Sequence, residues 1–334
     1  MEHARKILKN ISPNAWEHPA DRAAMAALKQ LPVLEDVIKT LFGGTSERSL
    51  RYLFLASAVR SSPTQFERVH RLTTEACNIL DAPQVPEVFI AQNPTYNAMA
   101  VGFRTPFIVL HSALEDSLSD DELLGVVAHE VGHIMSGHAL YKTILYLLVN
   151  IGLQLLHLPV GRAGLISLIM ALREWDRKSE LSADRAALLV TQSTDTAYTT
   201  LMKLAGGSKT DQMNIEEFVA QAAEYDRGDT VLDGVYKLVN LLGQTHPFPV
   251  LRLSELKTWV EAGSYDKILE GSYPQRDQDE REDLFTRFQE AADAYRDEIH
   301  RSEDPLAQVV DNLNQHFEKA RTQAEDLFKN LFGR

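Results

Sequence analysis

The chain has a single cysteine, Cys77, so no intramolecular disulfide staples the fold, and the cysteine-dense scaffolds of small secreted proteins are excluded. Its N-terminus, Met1-Glu-His-Ala-Arg-Lys6, lacks the apolar stretch of a secretory signal, which with the lone cysteine points to an intracellular, cytoplasmic protein. Cys77 falls in an apolar-periodic helical stretch, 72–80, where a buried and inert thiol is expected. Basic side chains are also scarce: 34 Lys and Arg stand against 47 Asp and Glu, a formal net charge of −13. That field repels phosphate backbones and rules against a nucleic-acid partner. Long apolar runs are missing too. In the most apolar part of the chain, 140–172, the first half, 144–158, contains Asn150, Gln154 and His157 and falls short of the roughly 18 largely uncharged residues that a membrane span requires.

What remains is a globular composition, 44% hydrophobic and 24% charged, with length for two or three compact units. Residues 1–80 read as an N-terminal helical region, with helices over 20–31, 33–42 and 48–60. From Val88 the pattern changes to short runs of β-formers, 88–91, 98–103 and 107–111, separated by Asn93-Pro94 and Thr105-Pro106, which predict a small, mostly antiparallel sheet. Ser119-Asp-Asp-Glu122 is a capping box directly ahead of an apolar run and starts a helix near Asp120. Residues 140–172 form an apolar helical hairpin with two readings, a pair of buried core helices or a hairpin in contact with a membrane surface. Helical patterns resume over 180–191, 196–204, 215–225 and 251–260. The last segment, 275–334, is acidic and then carries Leu306, Val310, Leu313, Phe317, Ala320, Ala324, Leu327 and Leu331 at alternating spacings of four and three. Such a stripe packs against another helix, either on the chain itself or, through 306–332, on a protein partner or a second copy. The fold class is α+β, predominantly α-helical.

The chemistry concentrates in His129-Glu130-Val131-Gly132-His133, inside the helix capped by Ser119. Residues four apart on a helix differ by about 40° around its axis, so both imidazoles leave one face and reach one metal ion. This is the helical zinc-hydrolase pattern. Hydrolytic zinc takes three protein ligands and keeps a position for water, so a third ligand is expected downstream, a carboxylate or a histidine. His138 stands at the wrong spacing for a three-histidine site, five residues past His133 and about 140° away on the helix, and is read as structural or capping. Glu180, in Glu180-Leu-Ser-Ala-Asp184, is the best candidate. Asp184 shares its helical face and can accept the remaining N–H of a metal-bound histidine. Glu130, beside the first ligand, is placed as general base and acid.

The pairing of His129-Glu-Val-Gly-His133 with Glu180-x-x-x-Asp184 resembles the HtpX-like and CAAX prenyl endopeptidase family of zinc metallopeptidases. The resemblance extends over about 85–260 and includes Asn97-Ala98, similar to the family's element on the strand over the active-site helix, and His246-Pro247 with Arg252, similar to its downstream element. It implies a zincin-like core at 85–265 with a small antiparallel sheet over the active-site helix, one Zn2+ per chain, and a polypeptide substrate bound at Asn97 and Ala98. It also implies His246 near the site, as a donor to the oxyanion or a zinc ligand in a resting state, and Arg252 orienting acidic groups, among them Asp184. A His-Pro turn of structural value only is the other reading of His246. The expected function is a zinc endopeptidase acting on unfolded or flexible polypeptides, in protein quality control. The alternative is a catalytically silent, metal-stabilised scaffold that binds partners through its C-terminal helix.

Overall fold

The computed structural model describes residues 4–29, 34, 37–38, 47–151, 161–226 and 248–279. The expected helix over 33–42 lies almost wholly outside these residues, as do 152–160 of the apolar hairpin, His246-Pro247 and the heptad stripe 306–332.

The described elements run α1 (Pro19–Lys29), α2 (Glu47–Ser57), β1 (Val59–Arg60), α3 (Glu67–Ile79), β2 (Val88–Ala91), β3 (Ala98–Val101), β4 (Phe107–His111), α4 (Ser112–Ser117), α5 (Asp120–Met135) and α6 (Ala139–Ile151). They continue with α7 (Gly161–Thr191), α8 (Thr194–Gly206), α9 (Ile215–Asp226), α10 (Pro249–Glu261), α11 (Ser264–Leu269) and α12 (Arg276–Asp279). The β-former runs do become strands, in the order β1-β2-β4-β3. β1–β2 and β3–β4 pair antiparallel, but β2–β4 pair parallel, because β4 inserts between β2 and β3 instead of completing a meander. The stretch 48–60 was expected to be one helix. It ends at Ser57, and Val59 and Arg60 pair with Ile90 and Phe89 on an edge of β2 that would otherwise be open, a tertiary pairing that overrides local propensity.

Side chains alternate across the sheet, as a pleated strand requires. Phe89, Phe107 and Val109 face one way and pack with Leu50 and Phe54 of α2. Val88, Ile90, Ile108 and Leu110 face the other and join the main core with α3, α5 and α8. Cys77 is buried in that core, and desolvation pushes its thiol up to about 12, which keeps it protonated and unreactive at neutral pH. A second apolar cluster joins Met25 and Leu28 of α1 to Ile144 and Leu148 of α6 and Leu168, Leu172 and Trp175 of α7. The described parts of the apolar hairpin therefore bury a face against α1, while Tyr146 and Val149 stay exposed. Among the described residues no helix is long and apolar enough to cross a membrane.

Helix α5 begins as its capping box dictates: Ser119 Oγ accepts from Glu122 N–H, and the Glu122 carboxylate accepts from Ser119 N–H at 2.8 Å. It runs almost wholly buried from Glu122 to His133. At Gly132 the helix lies close against α7, where an added Cβ would be 2.7 Å from the Ala186 Cβ. This missing methyl lets the two helices that carry the motif residues lie side by side.

Candidate metal centre

His129 and His133 leave the same face of α5, and Glu180, wholly buried on α7, lies opposite them. His129 Nε2 is 3.3 Å from Glu180 Oε2 and His133 Nε2 is 3.1 Å from Glu180 Oε1. The three donor atoms lie within 4.8 Å of one another, a span that one ion can bridge.

Each imidazole is held by its other nitrogen. His129 Nδ1 lies 3.0 Å from Asp184 Oδ1, one turn along α7 from Glu180. Asp184 in turn accepts a bidentate pair from Arg252 of α10, with Nε donating to Oδ2 at 2.7 Å. His133 Nδ1 lies 3.0 Å from His138 Nδ1. With both Nδ1 atoms engaged, both Nε2 atoms turn to the space in front of Glu180. Glu180 is itself held by cations: Lys142 Nζ of α6 donates to Oε1 at 2.6 Å and also reaches Asp176, while Arg252 Nη1 stands 3.3 Å from Oε2.

The electrostatics follow from burial and neighbours. Burial opposes a charge on His129, but Glu180 and Asp184 outweigh it and push the ring up to about 9. His133 goes the other way, well below the usual histidine range, through burial and the Lys142 charge. Burial raises the Glu130 carboxyl, although His129 and Lys142 pull against it. Glu130 Oε2 is buried with no hydrogen-bond partner, while the carboxylate accepts from Ala100 N–H of β3. Four buried carboxylates, Glu130, Asp176, Glu180 and Asp184, thus face two permanent cations, Lys142 and Arg252. The buried carboxylates, the converging Nε2 atoms and the unpartnered Glu130 oxygen fit a divalent cation with a water beside it.

A cavity of about 390 Å³ opens beside His129 and Glu130. Asn97 and Ala98 form part of one wall, and Leu201, Leu204 and Leu256 give it an apolar floor. Asn97 O accepts from His111 N–H at 3.0 Å, so Asn97 faces β4. By the alternation of an antiparallel pair, Ala98 and Ala100 then point their main-chain polar groups away from β4. The Ala100 bond to Glu130 and the 2.9 Å bond from Gly102 N–H to Thr143 Oγ follow the same parity.

Of the residues singled out in the sequence, His129, Glu130, His133, Glu180, Asp184 and Arg252 meet at this centre, and Asn97 and Ala98 line the cavity next to it. His246 lies outside the described residues. Sequence reasoning missed Lys142, Asp176 and Asp21. For Asp176 a signal existed, since Asp176, Glu180 and Asp184 continue one acidic stripe at intervals of four.

A buried imidazole–imidazole–carboxylate set beside a glutamate with one unpartnered oxygen defines a metallohydrolase centre. Comparison with known proteins narrows the class. Residues 63–260 match the model of peptidase family M48, and the chain belongs to that family of metallopeptidases. It is similar to the plastoglobule-localized metallopeptidase 48, chloroplastic, of Arabidopsis thaliana, 34% identical over 79% of this chain and 77% of that protein. It is similar to the protease HtpX homolog 2 of Methanosarcina mazei, 27% identical over 46% of this chain and 60% of that protein. With the protease HtpX homolog of Bacillus subtilis it shares 37% identity over 25% of this chain and 28% of the relative.

Proposed function

We propose that this metallopeptidase is a zinc endopeptidase that hydrolyses peptide bonds in unfolded or flexible polypeptides, a task suited to intracellular protein quality control. His129, His133 and Glu180 hold the zinc, one ion per chain. Bound there, zinc supplies a Lewis acid that polarises the scissile carbonyl and lowers the pKa of a water from 15.7 to about 7. Glu130 takes the water proton on Oε2 and returns it to the nitrogen of the leaving amine. Burial raises its carboxyl, which strengthens the ionised form as a proton acceptor. Asp184, fixed by Arg252, accepts the Nδ1–H of His129 and keeps that ring's Nε2 directed at the ion.

The substrate is placed by the edge of β3. The outward-facing main chain of Ala98 pairs with an extended peptide, with Asn97 beside it, and this selects segments free of their own secondary structure. The apolar floor of the cavity takes an apolar side chain next to the scissile bond. His246 is the candidate donor to the developing oxyanion, or a resting zinc ligand, on the family resemblance of His246-Pro247.

One observation carries this reading: two Nε2 atoms and a buried carboxylate converge beside a glutamate oxygen that has no partner. The test is elemental mass spectrometry of the purified full chain combined with cleavage of a denatured protein. Wild type is expected to hold one zinc per chain, Glu180→Ala almost none, and Glu130→Gln to keep its zinc while cleaving at least about 100-fold more slowly. A wild type purified without chelator and free of metal, or an active Glu130→Gln, overturns the reading.

A further inference from the structure

Helix α5 does not continue to His138. It ends at Met135 with Gly137 at φ +72°, and the chain folds back. The His138 N–H donates to the His133 carbonyl at 2.9 Å and the Gly137 N–H to Ile134 at 3.1 Å, the paired bonds of a Schellman end. This stop delivers the His138 ring onto that of His133. On its far side, His138 Nε2 lies 3.1 Å from Oδ2 of Asp21, a residue of α1 that is 1% exposed. Two further donors fix that carboxylate: Trp175 Nε1 at 2.9 Å on Oδ1 and Ser182 Oγ at 2.6 Å on Oδ2.

The proton order along this chain has only one arrangement that leaves the metal position open. A carboxylate can only accept, so His138 carries its proton on Nε2 and presents Nδ1 as an acceptor. His133 then carries its proton on Nδ1, and its Nε2 lone pair faces Glu180. In the reverse order His133 Nε2 would carry a proton aimed at Glu180, closing the position. Burial raises the Asp21 carboxyl, but His138, Ser182 and Trp175 outweigh it and hold it below the usual range, so the group at the end of the relay stays an anion.

We propose that Asp21 and His138 are positioning residues for the metal: across two rings they fix the tautomer of His133, and through it the affinity of the site. The proposal rests on the reading that His129, His133 and Glu180 hold the ion. It also makes helix α1, far away in sequence, a working part of the metal centre. The rival account is that Asp21 merely ties α1 to α7 through Trp175 and Ser182.

The test is zinc affinity of the full chain by competition with a chromophoric chelator, alongside thermal melting of the metal-free protein. Asp21→Asn and His138→Phe are expected to weaken zinc binding about 10- to 100-fold. His138→Gln, whose amide can accept from one side and donate to the other, is expected to recover part of that loss. Leu168→Ala, which opens a cavity in the apolar cluster of α1, α6 and α7 and touches no part of the relay, is expected to lower the melting temperature while leaving zinc affinity within about twofold. Long-range proton–nitrogen NMR of wild type is expected to show His133 protonated on Nδ1. If Asp21→Asn does not fold, the two His138 variants carry the test. Wild-type zinc affinity in Asp21→Asn or His138→Phe overturns this proposal alone, whereas a wild type that takes no zinc removes the reading beneath it, and both fall.

Discussion

The two imidazoles of α5 sit one turn apart on one motif, yet they are held by different partners and different physics. Behind His129 stands an ion pair, Asp184 with Arg252, from α7 and α10. Behind His133 stands a second imidazole and then Asp21 on α1. Glu180 and Asp184 outweigh burial and push one ring up to about 9, while burial and the Lys142 charge hold the other well below the histidine range. The His129 side is held by full charge, whose removal leaves buried ions behind. The His133 side is held by the order of protons along two rings that end on the buried Asp21 carboxylate, and its disturbance acts on the ligand itself. A motif of five residues fixes where two donors start, and its surroundings decide how each is aimed.

The strongest way to break this contrast is Arg252→Leu. Arg252 and Asp184 are each only 5% exposed, so the change strands the Asp184 carboxylate, and Glu180 loses a neighbouring cation. Breaking a buried pair from one side costs about 3–5 kcal/mol. Denaturant unfolding of the metal-free chain is expected to show that loss, and a change below about 1 kcal/mol would mean that the pair is solvated. Gly132→Ala is expected to act on both sides at once. Its Cβ would meet the buried Ala186 methyl at 2.7 Å, and neither helix has a flexible side chain there to give way. Overpacking of this kind costs about 1–3 kcal/mol. Because it pushes α5 from α7, zinc affinity is expected to fall with stability, whereas a loss of stability alone would show that the two helices move apart without opening the site.

What was legible in the sequence was local. His129 and His133, or Glu180 and Asp184, share a face by helical arithmetic, and the capping box of α5 spells its own start. The strands were visible as runs of β-formers, but the parallel pairing of β2 with β4 was not, because strand order is decided by which edges meet after collapse. Asp21 was invisible for the same reason: nothing near it in 20–31 marks it as the acceptor for a histidine at 138, and only packing of α1 on α7 brings them together. Arg252 was placed only through the family resemblance. The end of α5 is a different case. Treating the helix as continuous put His138 about 140° from His133, whereas Gly137 was there to be read as a stop.

That glycine gives the smallest and sharpest test on the His133 side. At φ +72° with open space around its missing side chain, Gly137 is constrained by backbone conformation and not by packing. An alanine there meets the left-handed penalty of roughly 1 kcal/mol, while asparagine tolerates the conformation far better. Gly137→Ala is therefore expected to lower stability by about 1 kcal/mol and Gly137→Asn by less, measured by denaturant unfolding. If the helix end does deliver His138, Gly137→Ala also weakens zinc binding and Gly137→Asn largely spares it. Equal zinc affinity in all three proteins would mean that the ring of His138 is set by Asp21 and Trp175 alone, with the helix end a bystander.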